Sequence, residues 1–415
     1  MSVSTSEVKI PKPLEIKEYK FLIIARAFFV VAMQMGIFSM AWYIYELTHD
    51  KLSIGLLGLS EIIPTIAMSL FAGHIVDKSD KRTLMLKVFS MYLLTNVLLG
   101  VFSSAYIKNH MGVVAIQISI YIVYFFTGIF RSFVGPSMNS MIAQLVPRAI
   151  LPRAITISST VNQVAAVTGP VVAGMLLAYH GIEFTFFVTS AFILVAMFCM
   201  YQIPKLEPSN TNTEKNVIQS VKEGLRFVFK TKELLGAMSL DMFAVFFGGA
   251  IAMLPVFAKD ILHIDAAEMG WLRAAQSIGA IISLATLSKY PLKTNQGRIM
   301  LKSVFMFGLC IIVFALSKNY WLSFAMLFLS GIFDAISVVV RQTILQLYVP
   351  DEMRGRVSSV SGMFINSSNE LGEFESGVAA RAMGTVPSVI FGGSMTLLIV
   401  LFTWFKVPKL KNLKY

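Results

Sequence analysis

The sequence predicts an all-α membrane protein of twelve transmembrane helices in two pseudo-symmetric halves of six, and three observations lead there. The 415-residue chain is 56% hydrophobic and only 14% charged, against about 25% charged residues in ordinary soluble domains. Roughly twelve apolar runs are long enough to cross a bilayer, which takes about 20 residues each. A block of the first half also recurs in the second at a constant spacing. A water-soluble chain with 33 Phe and 24 Met at this charge content would expose apolar patches that aggregate.

In chain order the runs are 20–46, 52–76, 83–106, 111–146, 154–179, 182–203, 233–259, 266–288, 299–317, 319–348, 356–381 and 386–406. The fourth and tenth are expected to include turns at their ends. The two-residue connector His180–Gly181 makes its neighbours antiparallel. The expected organisation is a cytoplasmic tail (1–19), a six-helix half (20–203), a linker (204–232), a second half (233–406) and a cytoplasmic tail (407–415). The linker begins as a flexible segment, Pro204 to Lys215. It continues with Val217, Val221, Leu225 and Phe229 at four-residue spacing, while Lys222, Arg226 and Lys230 lie on another face. That pattern suits a helix on an anionic leaflet and equally a solvated linker helix.

Charge placement orients the runs. With the N-terminus inside, inner segments hold 24 Lys and Arg, while the outer loops hold five: Lys51, Lys108, Lys259, Lys318 and Arg381. Basic residues favour the cytoplasmic side, so both termini are expected there, in a multi-pass protein of the cell inner membrane. The net charge of +12 is spread over short connections rather than gathered in one stripe, which argues against nucleic acid. Cys199 and Cys310 lie in apolar runs and read as packing residues. No removable signal peptide is expected. The five His are scattered without metal spacing, and no Walker loop or nucleophile elbow occurs. Neither metal, cofactor nor enzyme chemistry is expected, and the protein is expected to be monomeric.

The repeat has a shift of 203. It pairs Gly128 with Gly331, Phe130 with Phe333, Pro147 with Pro350, Arg153 with Arg356, Gly169 with Gly372 and Gly174 with Gly377. Duplicated halves mark transporter folds, with the substrate site between them near the midplane.

Gly73-His-Ile-Val-Asp77-Lys78-Ser-Asp80-Lys81-Arg82, with Asp80 where Gly is usual, is similar to the loop motif of the major facilitator superfamily. Arg131 followed by Gly135 resembles its buried-arginine motif, with Val134 in place of a polar residue. Gly169-Pro170-Val-Val-Ala173-Gly174 resembles the Gly-Pro motif of its exporters. PDEMRGRVSSVSGMFINSSNELGEFESG resembles the secretion-effector branch, which includes enterobactin-type siderophore exporters and relatives of macrolide efflux pumps. The resemblance implies the major facilitator fold and gating roles for Gly73, Asp77, Lys81, Arg82, Gly169, Pro170 and Gly174. Asp77 can receive basic residues and face a helix dipole, acting as a latch; the plainer reading of 77–82 is a positive-inside anchor. Gly169 and Pro170 allow close packing and a bend, which packing alone also explains.

Ionisable residues at membrane depth are functional candidates. Arg131 lies in the fourth run, and Asp334, its repeat partner, in the tenth, where Arg341 shares the face of Asp334. In the eleventh run Asn366, Glu370 and Glu373 line one stripe. Glu370 and Glu373 are the leading proton-coupling candidates, with Arg131, Arg341 or Arg273 as counter-charges. Asp241, Glu61 and Arg26 follow. A structural ion-pair network is the alternative. The expected activity is alternating-access export of a small amphipathic siderophore or drug-like substrate, by proton antiport and among membrane lipids. A lipid or nutrient carrier and a non-transporting sensor of the same fold are the alternatives.

Overall fold

Inside a bilayer each backbone N–H and C=O must be satisfied within the protein, which leaves a chain this apolar the helix. The computed structural model describes residues 12–206, 208, 217–290, 292 and 294–412, and these form helices joined by short turns, with no strand among them. The first half contains α1 (Lys17–Thr48), α2 (Lys51–Lys78), α3 (Lys81–Phe102) and α4 (Val113–Leu145). The helical run Leu151–Tyr201 then turns at Gly181 (φ 82°, ψ 178°), which divides it into α5 and α6. The second half contains α7 (Lys232–Phe247), α8 (Ala266–Lys289), α9 (Gln296–Leu316), α10 (Tyr320–Tyr348), α11 (Asp351–Met383) and α12 (Thr385–Lys406). Nine helical runs among the described residues are long and apolar enough to cross a membrane, with α5 and α6 together as one of them. α8 and α11, with polar and charged faces, fall outside that set despite adequate length.

Tight turns rest on side-chain caps. Asp50 accepts from the Leu52 N–H at the start of α2, and Asp265 with Glu268 forms a capping box on α8. Asp80, where the loop motif usually has Gly, accepts from the Thr83 N–H at 2.9 Å and so caps α3. Such a cap is worth about 1 kcal/mol.

Several boundaries differ from expectation. The fourth and tenth runs each hold a single helix, Val113–Leu145 and Tyr320–Tyr348, with residues 111, 112, 146 and 319 at their ends outside it. The first helix begins at Lys17, and Tyr19 is fully buried, donating its hydroxyl to the Ala154 carbonyl of α5 at 2.7 Å. The seventh run is not one helix. After Phe247 it passes through Gly248, a 3-10 turn at Gly249–Ile251, a helical turn at Leu254–Val256 and a π turn at Phe257–Leu262. Two successive glycines weaken the helix, and Pro255 cannot donate to it. Ala250 and residues 252–258 are buried, where irregular backbone at membrane depth is tolerated.

The Val217–Lys230 helix docks on α11 instead of lying free. A Cβ on Gly224 would stand 2.8 Å from the Arg356 carbonyl, Val228 is buried, and Glu223 pairs with Arg356. Phe229, expected on the apolar stripe with Leu225, is exposed together with Lys222, Arg226 and Lys230, while Leu225 is partly buried. The side chains of Val217 and Val221, and most of the Pro204–Lys215 linker, lie outside the described residues.

The halves meet through α2 on α11 and α5 on α8. A Cβ on Gly377 of α11 would lie 3.0 Å from the Gly55 Cα of α2, and one on Gly270 of α8 would lie 2.6 Å from the Pro170 carbonyl of α5. These contacts sit toward the end of the bundle opposite the termini, called here the far end. Gly73 lies eighteen residues, or five turns, beyond Gly55 on the same face of α2, yet a Cβ there would meet nothing within 4 Å among the described residues. The same holds for Gly362 of α11. Among the described residues the two halves therefore touch at the far end and part toward the end that bears the termini.

Candidate functional site

Close backbone packing sets up the site. A Cβ on Gly128 of α4 would crowd the Glu61 carbonyl and Pro64 of α2, so these two helices run nearly in contact. Arg131 lies three residues on, on the same face, and its Nη1 meets Glu61 Oε1 at 2.8 Å. Arg131 stays 30% exposed at its side chain while Glu61 is nearly closed off. From the second half, Glu373 of α11 and Arg273 of α8 line the same cavity, of about 130 Å³, with Gln34 and Tyr124. Glu373 stands in the combined field of Arg273, Glu61 and Arg131. Each half thus brings one carboxylate and one guanidinium to a net-neutral quartet.

The other expected charges are distributed differently. Arg341 does not face Asp334 or Glu373. It is buried in an ion pair with Asp241, joining α10 to α7 inside the second half. Asp334 is partly buried, with no ion pair or hydrogen bond among the described residues, and it stands outside the cavity of Arg131. The counter-charge facing Glu373 from its own half is therefore Arg273, from α8, rather than Arg341. The side chains of Glu370 and Asn366 lie outside the described residues, although their positions on α11 do not. Arg26 donates through Nε to Asn162 Oδ1 at 3.0 Å, tying α1 to α5.

Of the loop-motif residues, Arg82 acts within its own half. Lys81 is fully buried. Arg82 donates to the Tyr201 carbonyl at 2.7 Å and lies over the Tyr201 ring at 4.8 Å, which fastens α3 to α6. Among the described residues Asp77 makes no ion pair, and a Cβ on Gly73 would meet no atom within 4 Å. In the Gly-Pro motif, Gly169 packs on Val31 and Gln34 of α1, while Gly174 meets Ala266 of α8 across the halves.

At the far end the halves are clasped. Lys259 on the π turn reaches Glu46 of α1 at 3.0 Å and lies over the Trp42 ring at 4.4 Å. The next residue, Asp260, accepts a hydrogen bond from the Tyr45 hydroxyl. Arg381 stands 3.5 Å from Asp50. Sequence reasoning placed Lys259 in an outer loop and passed over Asp260 and Tyr45; the glycine pair and Pro255 before them were the only signal that the seventh run ends irregularly. Gln34 and Tyr124 gave no signal, since a polar residue at helical spacing is indistinguishable from core.

Residues 11–414 match the transmembrane secretion effector family. A staphyloferrin A transporter of Staphylococcus aureus is 24% identical over 389 residues, covering 91% of this chain and 93% of that protein. An enterobactin exporter of Shigella boydii is 26% identical over 291 residues, covering 68% of this chain and 70% of its own. Among solved structures, an inward-facing, occupied bacterial homologue of the lysosomal transporter Spinster superposes with a TM-score of 0.74 at 15% identity, covering 96% and 98% of the two chains. An inward-facing bacterial homologue of the iron transporter ferroportin gives 0.73 at 15% identity, covering 97% and 100%. The fold is the twelve-helix major facilitator fold, the family is one of transporters rather than enzymes, and the chain belongs to the transmembrane secretion effectors.

Proposed function

We propose that this transporter is a secondary active exporter working by alternating access and proton antiport, with a small amphipathic siderophore or drug-like compound as substrate. The observation that carries the reading is the Glu61–Arg131–Arg273–Glu373 quartet, shared between halves that touch at the far end and part at the other. With the termini cytoplasmic, as the basic connections favour, the parted end opens inward. The names of the relatives, a staphyloferrin A transporter and an enterobactin exporter, support a siderophore-like cargo.

The quartet suggests how proton and substrate exchange. The ionised Glu373 carboxylate accepts hydrogen bonds from hydroxyl, amide or amine groups of a substrate entering from inside. Protonation from outside removes the charge and turns one carboxylate oxygen into a donor, which weakens its hold on those donor groups, so proton and substrate bind in alternation. In this scheme 20–203 and 233–406 are the rocking halves, Asp77 latches the inner side once it closes, and Glu370, one turn from Glu373, is a second carboxylate for the same stripe.

The test is flux in proteoliposomes under an imposed pH gradient, with a panel of metal-free siderophores and amphipathic drugs. Acidification of the compartment facing the far end should drive a panel member out of the other. Flux that ignores the gradient for every transported compound would remove proton antiport. Intracellular accumulation in cells with and without the gene then identifies the compound and the direction.

A further inference from the structure

The outer surface of the second half carries a groove between α7 and α12 that shares no lining residue with the cavity of Arg131 and Glu373. Its volume is about 790 Å³, and Gly236, Phe243 and Phe247 on one wall face Met395, Phe402 and Lys406 on the other. Gly236 and Phe247 are eleven residues apart, as are Met395 and Lys406, so the groove runs about 17 Å at 1.5 Å per residue. That is close to half of a hydrocarbon core about 30 Å thick. Small residues, Gly236 and Ser239, deepen it. It begins at the end that bears the termini and stops at Phe247, where the regular helix of α7 ends.

Lys406 closes the headgroup end. It is the last residue of α12, exposed, and makes no ion pair among the described residues. The groove therefore combines an apolar trough one leaflet long with an unneutralised cation, Lys406, at its mouth. A basic residue at the membrane surface attracts anionic lipid by about a fivefold preference, and the trough length selects a chain rather than a soluble anion. We propose that this groove binds one anionic phospholipid, with its phosphate at Lys406 and an acyl chain lying between α7 and α12. The lipid braces the regular arm of α7 just before its break at Gly248.

A second groove on the other side of α12 provides an internal control. It is smaller, about 310 Å³, and carries Lys302. The experiment is lipid retention by the purified full chain in native mass spectrometry, titrated with phosphatidylglycerol, phosphatidylcholine and, separately, glycerol phosphate. Wild type should retain phosphatidylglycerol about fivefold over phosphatidylcholine. Lys406→Ala should lose that preference, Lys302→Ala should keep it, and Ser239→Phe, which fills the trough, should lower retention of both lipids. The proposal is overturned if Lys406→Ala keeps the preference, or if Lys302→Ala and Lys406→Ala lower it equally. Displacement of the lipid by glycerol phosphate alone would also overturn it, because the site would then hold a free anion.

Discussion

The two halves are alike in their glycines and unlike in their charges. Gly169 seats α5 on α1, and its counterpart Gly372 seats α11 on α7, against Phe246. Gly174 brings α5 onto α8 across the halves, and Gly377 brings α11 onto α2. Gly128 packs α4 on α2 beside Glu61, and Gly331 packs α10 on α8 beside Gln276. At the same register, however, Arg131 answers to Asp334 and Pro170 to Glu373, and the carbonyls that Gly128 and Gly331 approach belong to Glu61 and to the uncharged Gln276. Close approach of backbones is a property of the fold and repeats with it. Charge in a bilayer is costly and persists only where a task needs it. The asymmetry of the charges is thus the part of the duplication most informative about function.

The largest effect should come from the ion pair that serves structure. Asp241 and Arg341 bury each other within one half, with side chains 9% and 5% exposed. Asp241→Leu would leave a guanidinium buried without a partner, at a cost of about 3–5 kcal/mol. The double variant Asp241→Leu with Arg341→Met should recover most of that loss. Thermal unfolding of the purified protein measures both. An equal loss from Arg131→Met, whose side chain is 30% exposed to the cavity, would erase the distinction between a structural pair and a functional one.

Next comes the pairing of Glu373 with its register-mate and with Asp334. Glu373→Gln keeps size and hydrogen bonding but cannot take a proton, so pH-driven flux should fall at least tenfold, a change of about 1.4 kcal/mol or more in the barrier. Substrate exchange without net proton movement should survive in part. Asp334→Asn should leave pH-driven flux within about twofold, a few tenths of a kcal/mol. If Asp334→Asn is the variant that stops proton-driven flux, the coupling lies in α10 and the quartet is a binding site only.

The fold was legible because its signals are repetitive: apolar runs, basic connections and the 203-residue shift each occur many times over. The quartet was half legible. Arg131, Glu61 and Glu373 stand out as charges in apolar helices, but their partners depend on rotation about helix axes, which a residue count along one helix does not supply. Arg341 shares a face with Asp334 by spacing, yet α7 offers Asp241 on its other flank and the pair forms there. The seventh run reads as continuous by composition, and the break after Phe247 emerges only where Gly248 and Gly249 meet Phe307 and Gly372 of neighbouring helices. The clasp was illegible because Lys259, Asp260 and Tyr45 become partners only when the halves meet.

A smaller and symmetric effect is expected from the duplicated cross-half glycines. Gly174→Val and Gly377→Val should each hold the far end apart. Overpacking of a tight contact costs about 1–3 kcal/mol, enough to shift the balance of conformations about tenfold. Cysteines at positions 109 and 264 should then react faster with an impermeant reagent in both variants, while those at 80 and 212 stay protected from outside. Labelling of position 212 from outside would reverse the orientation, and a large effect in only one of the two variants would break the symmetry of the scaffold.

The smallest effect belongs to the far-end clasp, where the halves differ again: the seventh run ends, beyond α7, in a π turn that supplies Lys259 and Asp260, whereas α1 is continuous and supplies Trp42, Tyr45 and Glu46. Lys259 gains from a carboxylate at 3.0 Å and a ring at 4.4 Å, but its Glu46 partner is 47% exposed. An exposed ion pair contributes about 0.2–1 kcal/mol, and a cation over an aromatic face about 0.5–1 kcal/mol. Lys259→Met should therefore shift the halves toward the far-open form about threefold to tenfold, visible as faster labelling of a cysteine at position 264. Arg381→Met should do so by less than about threefold, since Arg381 is 60% exposed and 3.5 Å from Asp50. High external salt should mimic the Lys259 variant in part, because it screens exposed charges without touching the ring contact. If Lys259→Met leaves labelling unchanged while Gly377→Val accelerates it, closure rests on backbone packing alone, and the clasp is a consequence of the closed state rather than a contributor to it.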